Sequence, residues 1–506
     1  MSQATTTETA GQTTCRLFAG GEWVDAGVDQ WGEVHNPSTG EVIARVPLCE
    51  AEDVDRVVRA AADAFPEWSD TPAVERARVM LRYIELLEKH CDELARILSR
   101  EHGKTHAEAM ASVRRGIEMV EFAAGVPSML MGECIENIAR NVDCETQRHP
   151  LGVCVGITPF NFPAMVPMWM YPIAIVCGNC FVLKPSEKVP LSAMRQAELL
   201  TEAGLPAGVF SIVHGGRECV DALLAHELVE AISFVGSTAV ARHIYTTGTA
   251  NGKRVQAAGG AKNHIFIMPD ADIEQSVSAL MGSAFGCAGE RCMAGAIALP
   301  IGDAGDVVVE TLVDSSRRMT VGRTDVEGSV DMGPLITREH LDHVRGCVEK
   351  GVADGAELAL DGRTVSVADA PNGFFLGPTI FDRVTPTMAL SSEEVFGPVL
   401  SVMRIDTLEE GIELTRRSPY GNGAVIYTRS GRAAREFKRR VSAGMVGINV
   451  GVPAPMAWFP FTGWCKSFFG DLHIQGREGV HFYTHQKMTM SRWFTPRDGR
   501  TDSWGI

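Results

Sequence analysis

Three short segments gather the residues best suited to chemistry. The first is Gly286-Cys-Ala-Gly-Glu-Arg-Cys-Met293, which sets Cys292 in a glycine-rich turn directly after Arg291. A neighbouring cation favours thiolate over thiol, and the thiolate is the nucleophile of covalent catalysis. Cys287 lies about one helical turn earlier and competes for that role. A lone cysteine is often an inert core residue, so this segment by itself leaves a reactive and a buried thiol both open. The second is Phe234-Val-Gly-Ser-Thr238, a strand-like stretch that opens a helical pattern. Free amides and the positive dipole end at a helix start hold anions. A hydroxyl at Ser237 adds a donor suited to pyrophosphate, although serine and threonine are equally ordinary N-caps. The third is Lys184-Pro-Ser-Glu187, directly after an apolar strand. In open α/β sheets ligands sit at the carboxyl ends of strands, where Lys184 and Glu187 can meet ribose hydroxyls. A solvated turn is the plainer account of it.

Alternating strands and helices must position these segments. Asp53 to Phe65 and Ala73 to His102 carry apolar residues at helical spacing. Gly152 to Ile157, Cys180 to Leu183, Phe210 to Val213 and Ala231 to Val235 read as strands, with a helix over Leu191 to Ala203. This order predicts a doubly wound parallel sheet. A second unit begins near His264, with a strand at Ile265 to Met268, a helix to about Gly286 and further α/β alternation to about Val450. Val480 to Trp493 reads as a strand with little helix around it. Neither a G-x-G-x-x-G fingerprint nor a Walker A loop is present, so a bound dinucleotide must be met in another way.

The bulk composition narrows the classes. With 506 residues and 45% hydrophobic content, two or three domains are expected. A formal net charge of −16 argues against nucleic acid. The 13 cysteines form no disulfide-like framework, which points to reduced thiols and a cytoplasmic setting. Cys177-Gly-Asn-Cys180 has no second pair to complete a zinc site and reads as buried small side chains, so no metal is expected. Gly152 to Leu183 has no charged residue, yet Pro159, Pro163, Pro167 and Pro172 oppose a membrane helix. Residues 1–14 read as a polar, disordered leader.

The three segments occur in order with Asn36-Pro-Ser-Thr-Gly-Glu41, Pro159-Phe-Asn-Phe-Pro163 and Glu394-Val-Phe-Gly-Pro398. In this combination the sequence resembles the aldehyde dehydrogenases from about residue 17 to 493. Ala261-Lys-Asn-His264, the pair Arg291-Cys292, Arg115-Gly116, Phe461-Thr-Gly463 and Phe469-Gly-Asp471 resemble the CoA-acylating branch, which takes semialdehydes carrying a carboxylate. The resemblance implies an α/β fold with a doubly wound, Rossmann-type NAD domain (15–136 and 155–263), an α/β catalytic domain (264–450) and small oligomerisation strands (137–154 and 478–493) that assemble a homotetramer.

The resemblance also implies roles. Cys292 attacks the aldehyde, and Asn161 with the Cys292 backbone amide stabilises the oxyanion. NAD is held by Ser237 at the pyrophosphate, by Lys184 and Glu187 at the adenosine ribose, by Thr158 and Phe160 on the nicotinamide side and by Glu394 at the other ribose, with Lys188, Gly259 and Phe396 as further cofactor-binding residues. Arg115 and Arg291 grip the substrate carboxylate. In hydrolytic members a glutamate base stands at the position that is Ala258 here. Water needs such a base near neutral pH, whereas a thiol of pKa about 8.5 is already partly ionised, so coenzyme A is the expected acceptor. Methylmalonate semialdehyde then yields propionyl-CoA, and malonate semialdehyde acetyl-CoA, each with loss of carbon dioxide. Glu290 departs from the family's usual glutamine. As the nearest other carboxylate, it is the base of the competing reading, a hydrolytic, broad-specificity enzyme. A non-catalytic NAD-binding protein and a thiol hydrolase are further alternatives, the latter without an evident histidine partner.

Overall fold

The computed structural model describes residues 13–494, so residues 1–12 of the expected leader lie outside it. Thr13–Thr14, the end of that leader, is instead a short strand, paired in parallel with Glu41–Pro47. That strand and Trp31–Asn36 make a separate three-stranded sheet beside the main body.

Two large sheets carry the molecule. In the first, the strand order is Phe468–Phe469, Arg254–Ala258, Val229–Val235, Val153–Ile157, Cys180–Lys184, Phe210–Ile212, Leu17–Ala19 and Glu22–Val24. The five central strands are parallel. They are almost wholly apolar and buried on both faces, as parallel sheets covered by helices must be. The chain runs outward from Val153–Ile157 in one direction through Cys180–Lys184 and in the other to Val229–Val235. Beside that central strand is the topological switch, where doubly wound sheets open a crevice. Ala51–Asp70, Arg217–Ala225 and Thr238–Ala250 cover one face. Tyr171–Val176 and Leu191–Glu202 cover the other, backed by the helices between residues 73 and 124. The stretch predicted as one helix over 73–102 is two, Ala73–Lys89 and Cys91–His102, broken at His90.

The second sheet has the order Glu357–Leu360, Thr379–Asp382, Val399–Val402, Gly295–Pro300, Asn263–Ile267, Gly423–Tyr427 and Met445–Ile448. All its pairs are parallel except the outermost one at Glu357–Leu360. Trp464–Cys465 pairs with Tyr420–Gly421 near this lobe, and four residues later Phe468–Phe469 joins the edge of the first sheet. The segment therefore stitches the two lobes together along the cleft between them.

A third sheet joins Cys134–Ala139, Val142–Pro150 and Thr484–Arg492 in antiparallel pairs. It begins earlier than the predicted 137 and ends at Pro150, because Val153 already belongs to the large sheet. At the other end, the first residues of the strand expected from Val480 close a helix, Gly476–Phe482, and the strand itself runs over Thr484–Arg492. Val480 and Phe482 bury their side chains in the main core, and this tertiary anchor outweighs the local β-propensity of the run. No helix among the described residues is long and apolar enough to cross a membrane. The uncharged run 152–183 is two core strands flanking two short helices. Within it, Cys177 and Cys180 are buried, their thiols both pushed up to about 12 by desolvation.

Candidate active site

At the carboxyl edge of the first sheet, adjacent strands deliver Thr158, Lys184, Ser237 and Ala258 side by side. Ser237 is the N-cap of Thr238–Ala250 and makes no side-chain cap hydrogen bond, so its exposed hydroxyl is available. The Thr158 hydroxyl is buried, with no hydrogen-bond partner among the described residues. Lys184 donates to Glu187 at 3.0 Å. Burial opposes the Glu187 charge, but Lys184 and Lys188 together hold its carboxyl below the usual range. Lys188 Nζ lies 5.3 Å over the Phe160 ring, and Phe160 meets Phe396 edge-on with centroids 5.8 Å apart. Gly259 sits where the backbone passes close to Lys466. Its amide donates to the Ser467 carbonyl, and a Cβ would press on the Lys466 carbonyl. The next amides are also claimed: Gly260 donates to Thr238 Oγ1 and Ala261 to Glu394 Oε1, both at 2.9 Å. Burial raises the Glu394 carboxyl to about 7.

The thiol turn faces this edge from the other lobe. Helix Ile273–Phe285 runs into a tight turn in which Cys287 and Ala288 both have φ of 51°. Left-handed conformations of this kind cost about 1–3 kcal/mol each in residues with a Cβ. Glu108 offsets that cost. One of its oxygens accepts from the Cys287 amide at 2.7 Å and from Arg291 Nη2 at 3.1 Å. Hydrogen bonds to a charged acceptor contribute about 1.5–3 kcal/mol apiece, enough to hold the turn. The other oxygen closes the capping box with Thr105 at the start of helix His106–Ala124. Gly289 is required next, because a Cβ there would collide with the Gly397 carbonyl.

Cys292 itself is half-buried. Its carbonyl accepts from Asn263 Nδ2 and Asn422 Nδ2, each at 2.9 Å, which fixes the peptide that carries the thiol. Desolvation and the nearby Glu394 carboxyl push the thiol up to about 12, against weaker lowering from backbone amides and Arg291. The resting form is therefore the thiol. Asn161 is brought to the same turn, its Nδ2 donating to the Glu290 carbonyl at 3.0 Å.

The remaining expected residues are placed differently. Arg115 and Arg291 are both near the cleft, yet both guanidinium groups are occupied. Arg115 donates to Glu118 at 2.7 Å and to the Pro455 carbonyl at 2.9 Å. Arg291 is taken by Glu108, by Cys287 Sγ at 3.2 Å and by the Gly282 carbonyl. Glu108 and Arg115 are seven residues apart on one helix, about 10 Å along its axis. A carboxylate held by both arginines requires one of them to leave its present partner. Ala258 is buried at the end of its strand. The Glu290 side chain is wholly buried, with Oε1 accepting from the Ile336 amide at 3.1 Å and burial raising its carboxyl to about 8. Glu290 is thus neutral near pH 7 and engaged with the 336–340 segment.

Glu108 and Asn422 were not singled out from sequence, and Asn263 only as part of Ala261-Lys-Asn-His264 with no role, although all three hold the turn. Glu108 carries a partial signal, since Thr105 and Glu108 have capping-box spacing. Its contact with Cys287, 179 positions away, has none.

A two-lobed α/β body with a doubly wound sheet facing a thiol turn defines the aldehyde dehydrogenase architecture. The chain belongs to the aldehyde dehydrogenase family, whose family model matches residues 23–489. It is 51% identical over 481 residues to malonate-semialdehyde dehydrogenase 1 of Geobacillus kaustophilus, covering 95% of this chain and 98% of that one. The crystal structure of methylmalonate-semialdehyde dehydrogenase from Oceanimonas doudoroffii superposes with a TM-score of 0.94 at 48% identity, covering 96% and 99% of the two chains. A Sinorhizobium meliloti 1021 protein assigned the same activity, complexed with NAD, superposes with a TM-score of 0.95 at 43% identity, covering 97% and 100%. This chain is an oxidoreductase of that family and is similar to its semialdehyde dehydrogenases.

Proposed function

We propose that this enzyme oxidises malonate semialdehyde and methylmalonate semialdehyde and transfers the acyl group to coenzyme A, with loss of carbon dioxide. NAD, when bound along the strand edge that presents Thr158, Lys184 and Ser237, supplies the hydride acceptor. Ser237 and the amides of its helix suit the pyrophosphate. Glu187, kept ionised by Lys184, suits ribose hydroxyls on the adenosine side, and Glu394 suits those on the other. Phe160 and Phe396 wall the nicotinamide side.

The Cys292 thiol gives up its proton to solvent and bonds to the aldehyde carbon. Asn161 Nδ2 and the Cys292 amide face the oxygen that becomes negative, and donors so placed are worth about 3 kcal/mol each in the transition state. When that C–O⁻ reforms a carbonyl, the carbon loses its hydride and a thioester remains on Cys292. Breaking the bond to the substrate carboxylate releases carbon dioxide, and the electron pair delocalises into the thioester carbonyl until the α-carbon takes a proton. The CoA thiolate then displaces Cys292 as thiolate, leaving propionyl-CoA or acetyl-CoA. Arg115 and Arg291 are the partners for the carboxylate before it departs, sharing it with or taking it from Glu118 and Glu108.

The observation that carries the CoA half is the pair Ala258 and Glu290. Ala258 has no carboxylate, and Glu290 is buried, neutral near pH 7 and tied to the Ile336 amide. Neither supplies the base that water needs. Product analysis with methylmalonate semialdehyde and NAD tests this: propionyl-CoA forms with CoA, and free acid forms slowly without it. Rapid free-acid release without CoA overturns it. The third sheet exposes Ile135, Ile138, Met488 and Met490, which suits its proposed part in a homotetramer.

A further inference from the structure

Glu290 is unused by the mechanism above, yet its side chain is fully buried. Around it three separate segments bring ionisable groups together. His102 Nε2 is 4.0 Å from Glu290 Oε2, and His340 Nε2 is 3.6 Å from Oε1 while donating to the Phe396 carbonyl at 2.7 Å. Lys104 Nζ lies 4.1 Å over the Phe162 ring. The Phe160 ring is 6.1 Å from both the His102 and the His340 rings. Glu290 Oε2, both ring nitrogens of His102 and Lys104 Nζ have no hydrogen-bond partner among the described residues. Glu290, His102 and Lys104 are each about 1% exposed or less. Four such atoms cannot stay unsatisfied together, because each would cost about 1–3 kcal/mol, and internal water ordinarily serves such groups.

We propose that Glu290 is a positioning residue of this site: its carboxyl, His102, Lys104 and ordered water between them form a buried polar chamber that braces the catalytic turn and sets the charge held two residues before Cys292. The inference rests on Cys292 being the nucleophile. Glu290 acts through two routes. Its carbonyl receives the Asn161 amide, so a shift of the residue moves the oxyanion donor. Its side chain stands two residues from the thiol, and a negative charge there opposes a second negative charge at Cys292. The groups facing it are His102, Lys104, Lys188 and His340. Burial holds both histidines neutral, so the two lysines are the cations that favour its ionised form. The chamber is then uncharged on the carboxyl side below about pH 8 and negative above it.

The test is the pH profile of Cys292 alkylation by iodoacetamide in a Glu394→Gln background, which removes the other titrating carboxyl that acts on the thiol; it is read by peptide mass spectrometry so that the exposed Cys134 and Cys465 do not interfere. In that background the profile should rise with a break near pH 8, where Glu290 ionises. Glu290→Gln should remove the break and speed alkylation at pH 9 by roughly threefold, the equivalent of half a pKa unit. Lys104→Met, which removes a cation from the same carboxyl, should move the break upward in pH, and it decides the matter if the glutamine variant does not fold. With Glu394 neutralised, a profile with a single ionisation, or a break that survives the addition of Glu290→Gln or stays in place with Lys104→Met, overturns the proposal. Loss of turnover in Cys292→Ala tests the nucleophile separately, so the two failures are distinguishable.

Discussion

Along the edge of the eight-stranded sheet, the Ser237 hydroxyl caps nothing and Thr158 Oγ1 has no partner among the described residues. Across the cleft, around Cys292, the opposite holds. The Cys292 carbonyl has two donors, the Asn161 amide is taken, and both arginines are paired with glutamates. The sheet edge has donors waiting because strand ends and a helix start leave them there by geometry. The thiol turn is held in left-handed backbone conformations, which persist only when neighbouring groups bind every part of it. One side is ready for a ligand as it stands. The other must exchange internal partners for substrate groups.

Substitutions can break this comparison, beginning with the largest effect. Cys292→Ala should lower turnover on the order of 10⁵-fold while NAD binding, followed by fluorescence, is unchanged; joint loss of both would merge the two sides. Asn161→Ala should reduce kcat by about 100-fold or more with little change in KM for NAD, although Asn161 is on a loop of the sheet lobe. Asn263→Ala leaves the Cys292 carbonyl one donor short. It should cost about tenfold in kcat, the equivalent of a lost buried hydrogen bond, with the alkylation rate of Cys292 falling in step. Ser237→Ala should act on the other side only, raising KM for NAD about threefold to tenfold at constant kcat. The smallest effect is a pH dependence. Glu394 has its carboxyl raised to about 7, so it gains charge between pH 6 and 8. A carboxylate accepts ribose hydroxyls better than a neutral acid. KM for NAD should therefore fall by about twofold to threefold over that range, and a Glu394→Gln variant should show a flat profile.

The same division separates what was legible in the sequence from what was not. Val229–Val235 and Cys180–Lys184 announce themselves as buried apolar strands, and the Gly-Ser-Thr and Lys-Pro-Ser-Glu signals directly follow them. Local pattern and local chemistry coincide there, so the strand edge proposed for NAD is readable within short windows. The start of the strand at residues 480–482 was misread because the helix that ends there depends on burying Val480 and Phe482 in a distant core. Glu290 was legible as an unusual residue beside the nucleophile, but its direction was not. Only the fold turns its carboxyl inward to Ile336, His102 and His340.

By itself the sequence determined the strand and helix alternation and the glycine-rich turn that carries Cys292. Each follows from side-chain types at fixed spacing, which acts over a few residues. Tertiary structure alone decided the partners: Glu108 on Cys287 and Arg291, Asn263 and Asn422 on the Cys292 carbonyl, and Glu118 on Arg115 beside Pro455. All but one of those contacts join segments far apart in the chain. Which of several equally suitable polar groups meets a given donor depends on how the two lobes close upon each other, and no local pattern encodes that distance.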